Sequence, residues 1–273
     1  MPARIRIGTQ GWNYPAWVGP FYPQGTRPAA FLTTYARAFG TVEVDSTFYA
    51  VPAPKVVRGW ASRTPGDFVF ALKMPQEATH ERRLRGADGV VAAFLDAARE
   101  LGSRLGPVLV QLGPDFDASE RGALEAFVPA LPSDLRFAVE VRHSSWMRPE
   151  PLAALTALLE AHGVALALSD GRWIPRATLI ALAARPTAPF HYVRWMGPDR
   201  SITDYSRLQF DRSGEIATWA EVLKGVSVRG TGVFGYFNNH FAGHSPANAR
   251  ELLGLLGERV VEPEEIDEQT SLF

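Results

Sequence analysis

The chain contains no cysteine. Disulfides, a thiol nucleophile and any Cys-based zinc or iron–sulfur centre are therefore excluded. It also has little net charge: 28 Lys+Arg stand against 29 Asp+Glu, a formal −1. That balance argues against gripping polyanions by bulk charge alone. No apolar run approaches the ~20 residues that span a bilayer. The opening run, Met-Pro-Ala-Arg-Ile-Arg-Ile-Gly, lacks a signal peptide's apolar stretch. No membrane association is expected, and a cytoplasmic location is. The phosphate loop, the G-x-S-x-G elbow, H-E-x-x-H and the dinucleotide fingerprint G-x-G-x-x-G after the first strand are all missing.

What is present is a globular composition. The 273 residues are 46% hydrophobic, enough for a substantial core. Charge is uneven along the chain. Residues 258–273 hold Glu258, Glu262, Glu264, Glu265, Asp267 and Glu268 against Arg259 alone, which leaves the remainder mildly basic.

Short β-rich apolar runs alternate with longer helical patterns. Strands are predicted at 5–9, 41–48, 68–74, 107–112, 137–142, 164–170, 190–196 and 232–238. Helices are predicted at 28–39, 54–63, 88–102, 119–130, 151–162, 176–184, 215–224 and 246–256. Ser245 before Pro246 is an N-cap followed by proline at the first helical position. Strand then helix, eight times, gives an α/β chain folded as one (β/α)8 TIM barrel over 1–257, followed by an acidic, mobile tail over 258–273. The loop 197–214 is long, and long loops on this fold are often functional.

Active sites on such barrels lie at the C-terminal ends of the strands. The residues gathered there by the assignment are Trp12 and Tyr14; Glu43, Asp45 and Tyr49; Lys73 and His80; Gln111; Glu140, Arg142, His143 and Trp146; Asp170, Arg172 and Trp173; Arg194 and Trp195; and Asn238, Asn239 and His240. Strand alternation turns Glu43, Asp45, Lys73, Glu140 and Arg142 toward the axis. Buried charges must pair or shift their pKa values. Two readings follow. In one, Glu43 or Glu140 is a general base, His80 or His143 an acid, and Lys73, Arg142 and Arg194 hold an anion. In the other, the charges form a closed ion-pair network that fills the barrel. Trp12, Tyr14, Tyr49, Trp146, Asp170, Asn238 and Asn239 join Arg142 and Arg194 as candidate ligand-binding residues. The tryptophans read alternatively as a plug over the barrel top. No histidine or carboxylate pair has diagnostic ligand spacing, so neither a bound catalytic metal nor another cofactor is expected.

Several segments carry a resemblance: Ile7 to Tyr14, Trp17 to Pro23, Thr41 to Tyr49, Thr79-His80, Val110 to Pro114, Val139 to Trp146, Tyr192 to Arg194, and Tyr236 to Asn239. Together they resemble the YecE-like family, domain of unknown function 72 (DUF72). The resemblance implies a TIM barrel with no assigned activity. More distantly it resembles the endonuclease IV and xylose isomerase type of barrel, without the obvious metal ligands of those enzymes. The chain departs from the family pattern at Gln10, commonly Ser, and at Asp45, commonly Asn.

The last five residues, Gln269 to Phe273, look like the short peptide that docks on the bacterial sliding clamp. Leu272 and Phe273 would fill an apolar pocket and Gln269 would bond at its rim. The functional expectation is an enzyme of hydrolase or phosphoesterase type acting on a phosphate-bearing substrate, with an anionic small molecule or single-stranded nucleic acid as partner. The alternatives are a non-catalytic nucleic-acid-binding or clamp-associated module, and a carbohydrate-active enzyme.

Overall fold

The computed structural model describes residues 4–268. The clamp-like residues Gln269, Leu272 and Phe273 lie outside the described residues. Eight strands run parallel: β1 (Ile5–Thr9), β2 (Thr41–Val44), β3 (Val69–Lys73), β4 (Leu105–Gln111), β5 (Phe137–Glu140), β6 (Ala165–Gly171), β7 (Phe190–Gly197) and β8 (Gly232–Phe237). A helix follows each strand: α1 (Phe31–Ala38), α2 (Pro54–Ser62), α3 (Asp88–Arg99), α4 (Arg121–Phe127), α5 (Pro149–Ala161), α6 (Arg176–Ala183), α7 (Ser213–Val228) and α8 (Ser245–Leu255). A ninth, α9 (Pro263–Glu268), closes the described chain. The strands form one sheet in the order β1-β8-β7-β6-β5-β4-β3-β2, an almost closed barrel. No helix of the described residues is long and apolar enough to cross a membrane.

Alternation along the strands creates two separate apolar regions. Outward residues such as Val42, Val44, Val139, Leu166, Leu168 and Trp195 meet the helices. Inward residues form a second cluster along the axis. On β3, β5 and β6 these are small: Ala71, Ala138, Ala165 and Ala167. Their small volume makes room for Tyr192 and Tyr236, whose rings lie 5.3 Å apart inside the barrel. Close packing of this kind leaves a plug rather than a pore. Polar side chains are therefore displaced to the upper ends of the strands.

The seam between β1 and β2 is not zipped by a full ladder. Only the bridge between Gln10 and Glu43 joins the two segments, with the Gly11 amide donating to the Glu43 carbonyl at 2.8 Å. Below it, the Tyr35 hydroxyl takes the place of a ladder bond. It accepts from the Thr9 amide at 2.9 Å and donates to the Thr41 carbonyl at 2.9 Å. Gly8 permits the approach, since a Cβ there would sit 2.2 Å from the Thr41 carbonyl oxygen. Replacing Tyr35 with phenylalanine orphans a buried amide and a buried carbonyl, and should cost about 1–3 kcal/mol. Urea unfolding measures this. A change below ~0.5 kcal/mol would show that the hydroxyl does not carry the seam.

The acidic segment after α8 is held against the barrel as far as it is described. Val261 and Ile266 are buried in the outer core, and α9 packs against α1. Val261 and Ile266 anchor the segment while Glu258, Glu262, Glu264 and Glu265 stay exposed.

Candidate functional site

The upper axis is built around one guanidinium. Arg194, on β7, is 2% exposed. Its Nε and Nη2 donate to the two carboxylate oxygens of Glu43 at 2.9 and 2.7 Å. Its Nη1 donates to Glu140 at 2.7 Å. Arg142 donates from Nε to the other Glu140 oxygen at 2.6 Å and from Nη2 to Gln111 at 2.8 Å. The Tyr192 hydroxyl donates to Glu43 at 2.7 Å. Gln10 accepts from Arg194 at 3.3 Å and from Asn238 at 2.8 Å.

Two carboxylates thus meet two guanidiniums in a closed and nearly neutral cluster. Burial alone would raise the Glu140 carboxyl, but Arg142 and Arg194 outweigh it and hold the group down at about 2. Burial likewise works against the Arg194 cation, and Glu43 and Glu140 more than offset it. Carboxylates saturated in this way are weak proton acceptors. Of the two readings of the axial charges, the geometry of Glu43, Glu140 and Arg194 fits the ion-pair network better than a base and an anion clamp.

Lys73 is the cation left over. It ends β3 and is 9% exposed. Its Nζ lies 3.6 Å from the centroid of the Phe48 ring. Among the described residues the ammonium has no hydrogen bond and no carboxylate within ion-pair distance. Beside it, His80 is edge-on to Phe48 at 5.0 Å, with Nδ1 2.9 Å from Thr79 Oγ1. Burial, then Lys73 and Arg142, lower the His80 pKa. Asp45 sits on the rim open to solvent, and its carboxyl is raised by desolvation in the mouth and by Glu43.

Above the network lies a cleft of about 220 Å³. Tyr14, Asp45, Tyr49, Arg142, Asn238 and Asn239, all gathered from the strand-end reading, line it. So do Arg172, Trp173 and His240 from the strand-end segments, together with Asp199, Arg200 and Tyr205 from the long loop after β7. Arg172 stacks over Trp173 at 4.2 Å, and Arg142 reaches the same ring at 5.8 Å. Tyr205 stands edge-on to both Tyr14 and His240, 5.8 and 5.5 Å away. Asn239 is anchored by Ser245, whose amide and hydroxyl both donate to its Oδ1. Among the described residues its Nδ2 has no hydrogen-bond partner.

Other candidates are placed elsewhere. Asp170 turns outward, because Ala165, Ala167 and Ser169 occupy the inward positions of β6. It accepts from Trp219 Nε1 and from Arg176, both at 2.7 Å. Trp146 is fully buried, stacked on Phe116 and bonded to that residue's carbonyl at 2.9 Å. Trp195 stacks on Phe237 among the outer core. Both tryptophans belong to the outer core between sheet and helices and line neither the cleft nor the axis. Trp12 packs edge-on to Trp60 and Phe70 beside a separate hollow. His143 caps its own turn, its Nδ1 accepting from the Ser145 amide at 3.3 Å and lying 2.8 Å from the Ser145 hydroxyl. Among the described residues, no group of three or more His, Asp or Glu is placed to hold a metal ion.

The strand-end reading did not single out Tyr192 or Gln10 as axial partners. Tyr192 shares a face with Arg194, two residues along β7, so alternation carried the signal. Loop length carried the signal for Asp199, Arg200 and Tyr205.

Comparisons with known proteins agree with this architecture. The model of the family described as "Protein of unknown function DUF72" matches residues 6–270. The UPF0759 protein YecE of Escherichia coli (strain K12) is 34% identical over 196 residues, covering 69% of this chain and 70% of that protein. The UPF0759 protein YunF of Bacillus subtilis (strain 168) is 26% identical over 270 residues, covering 92% and 94%. The crystal structure of a DUF72 family protein from Thermotoga maritima MSB8 superposes with a TM-score of 0.75 at 25% identity, covering 93% of this chain and 100% of that one. One from Enterococcus faecalis V583 gives 0.73 at 22% identity, covering 94% and 99%, and shows the shared fold. With a barrel of this topology and a family match along nearly its whole length, the chain belongs to the DUF72 family of proteins of unknown function.

Proposed function

We propose that the chain is an enzyme that binds a small anionic substrate in the cleft at the strand ends, with phosphate-bearing and carboxylate metabolites as the candidate class. The observation that carries this reading is the set of arginines on one cleft. Arg172 and Arg200 line it and make no ion pair among the described residues, and Arg142 adds a third guanidinium. Planar guanidiniums are suited to two-point contact with phosphate or carboxylate oxygens. Trp173 and Tyr49 supply flat faces beside them. The volume, below the roughly 300–1,000 Å³ of a drug-sized site, supports a small molecule over a nucleic-acid strand.

In this reading the network of Arg194, Glu43 and Glu140 is scaffolding. Asp45, which lines the cleft, and His80, which stands beside Phe48 outside the network, are the groups left for proton transfer. Inorganic phosphate and oxalate, titrated against the full chain with Trp173 fluorescence or a thermal shift as readout, should bind saturably. Arg172→Ala and Arg200→Ala should each weaken binding about tenfold, the worth of one charge-assisted hydrogen bond, and added salt should weaken it further. Absence of saturable binding, or unchanged binding in both variants, would overturn the proposal.

A further inference from the structure

We infer that the hollow beside the cleft, cornered by Trp12 and Trp60, is a second subsite that takes a hydroxylated ring, so that the substrate is a sugar phosphate or sugar acid lying across both. The inference deepens the anion-site reading and rests on it for the substrate's charged end alone.

The first argument is position. The hollow measures about 500 Å³ against about 220 Å³ for the cleft, and Tyr14 and Asp45 line both. Tyr14 is a fixed partition. Its hydroxyl donates to the Gln10 carbonyl at 3.1 Å, and its ring packs on Trp17 at 4.6 Å and edge-on to Tyr205 at 5.8 Å. Asp45 stands beside it on the open rim, so a ligand that reaches from one hollow into the other passes its carboxylate. Arg142 and Arg172 follow β5 and β6, across the barrel from β1 and α2, which lead to Trp12 and carry Trp60. A molecule that fills both hollows is thus longer than a bare anion, and the two together suit the roughly 300–1,000 Å³ of a small-molecule site.

The second argument is chemistry left unused. The two indoles meet at 81° with centroids 5.9 Å apart, which gives the hollow an apolar corner. Trp60 is 6% exposed, yet neither indole N–H has a hydrogen-bond partner among the described residues, and neither nitrogen is sealed from solvent. Arg63, also on the lining, is held by the Gly59 and Ala29 carbonyls and makes no ion pair among the described residues. These groups only donate. The Asp45 carboxylate, to which no other described residue bonds, only accepts when ionised. A hydroxyl does both through one atom, so neighbouring hydroxyls on a ring can meet the indole N–H groups and the carboxylate together. The C–H faces of the same ring suit the apolar corner.

The test is calorimetric titration of the full chain with inorganic phosphate, trehalose, glucose 6-phosphate, trehalose 6-phosphate and phenyl phosphate. At least one of the sugar phosphates should bind about tenfold more tightly than inorganic phosphate, the worth of a ring packed on an aromatic corner. Trp12→Phe and Asp45→Ala should each remove most of that gain without weakening inorganic phosphate. A melt checks the fold of each variant, and Asp45, being exposed, gives one whose packing is native. Sugar phosphates no tighter than inorganic phosphate, or a gain that both variants retain, overturns the inference. A larger gain for phenyl phosphate than for either sugar phosphate also overturns it, because the corner then selects apolar area and not hydroxyls. The two readings fail separately. Inorganic phosphate bound with no gain from any ring removes the subsite and leaves the anion site. Trehalose bound in a Trp12-dependent way, with no binding of inorganic phosphate, keeps the subsite and removes the anion site.

Discussion

Arg194→Met should destabilise the folded chain by about 3–5 kcal/mol, the loss expected when one partner of a buried ion pair is removed. At about 2–4 °C per kcal/mol, the melting temperature should fall by roughly 6–20 °C. The cause is the pair of carboxylates left behind. Glu43 and Glu140 are both fully buried, and Arg194 satisfies three of their four oxygens. Methionine fills the volume and answers none of them. The pH dependence should also weaken or reverse. In the native chain the Glu140 carboxyl is held at about 2, below its ordinary 4.5. That difference contributes stability that is fully present above 4.5 and is lost as the pH falls toward 2. Without Arg194, burial of the Glu140 carboxyl is opposed by Arg142 alone, and the variant should lose less stability, or gain some, as acid protonates it. Glu43→Gln and Glu140→Gln added to Arg194→Met should recover part of the loss. A loss under about 1 kcal/mol, with the acid limb unchanged, would show that the network is not the keystone described above.

Gly197→Ala should cost about 2–5 kcal/mol, combining left-handed backbone strain with an overpacked contact. Gly197 ends β7 with φ +76°, and a Cβ there would sit 2.1 Å from the His240 carbonyl oxygen. Both partners are backbone, so neither can rotate away. The contact ties the end of β7 to the turn after β8, and Gly197 itself lines the cleft with Asp199, Arg200 and His240. Stability and anion binding should therefore fall together, as read by a melt and by the phosphate titration. A variant of native stability whose phosphate affinity is unchanged would disconnect this contact from the cleft.

The barrel was legible because each βα unit repeats the same two periods. Glu43, Lys73 and Glu140 could be turned inward from alternation alone, since valines flank both glutamates and Lys73 shares a face with the small Ala71. Their saturation could not be read, because it depends on Arg194 and Tyr192, which are more than 50 residues from Glu140 and about 150 from Glu43 along the chain. β6 misled for a related reason. Its inward positions are alanine and serine, and its outward positions are leucine and Asp170. The aspartate therefore reads as the functional group, although it serves Trp219 and Arg176 on the helix side. The predicted second strand ran on to Phe48 because Thr47 and Phe48 favour strands. The chain instead turns at Asp45, and Ser46–Phe48 form a short 3-10 turn that lays the Phe48 ring under Lys73.

The pairing of β1 with β8 has a consequence in time. Ile5 through Thr9 leave the ribosome more than 200 residues ahead of their hydrogen-bonding partners, Val233 through Phe237. At about 5–20 residues per second, the first strand waits roughly 10–50 s for its neighbour. Through that interval its only adjoining strand in the nascent chain is β2, across the junction that Tyr35 and Gly8 form. That small polar clasp is thus one of the native ties open to β1 before β8 emerges, beside the Arg6 bond to the Gly40 carbonyl.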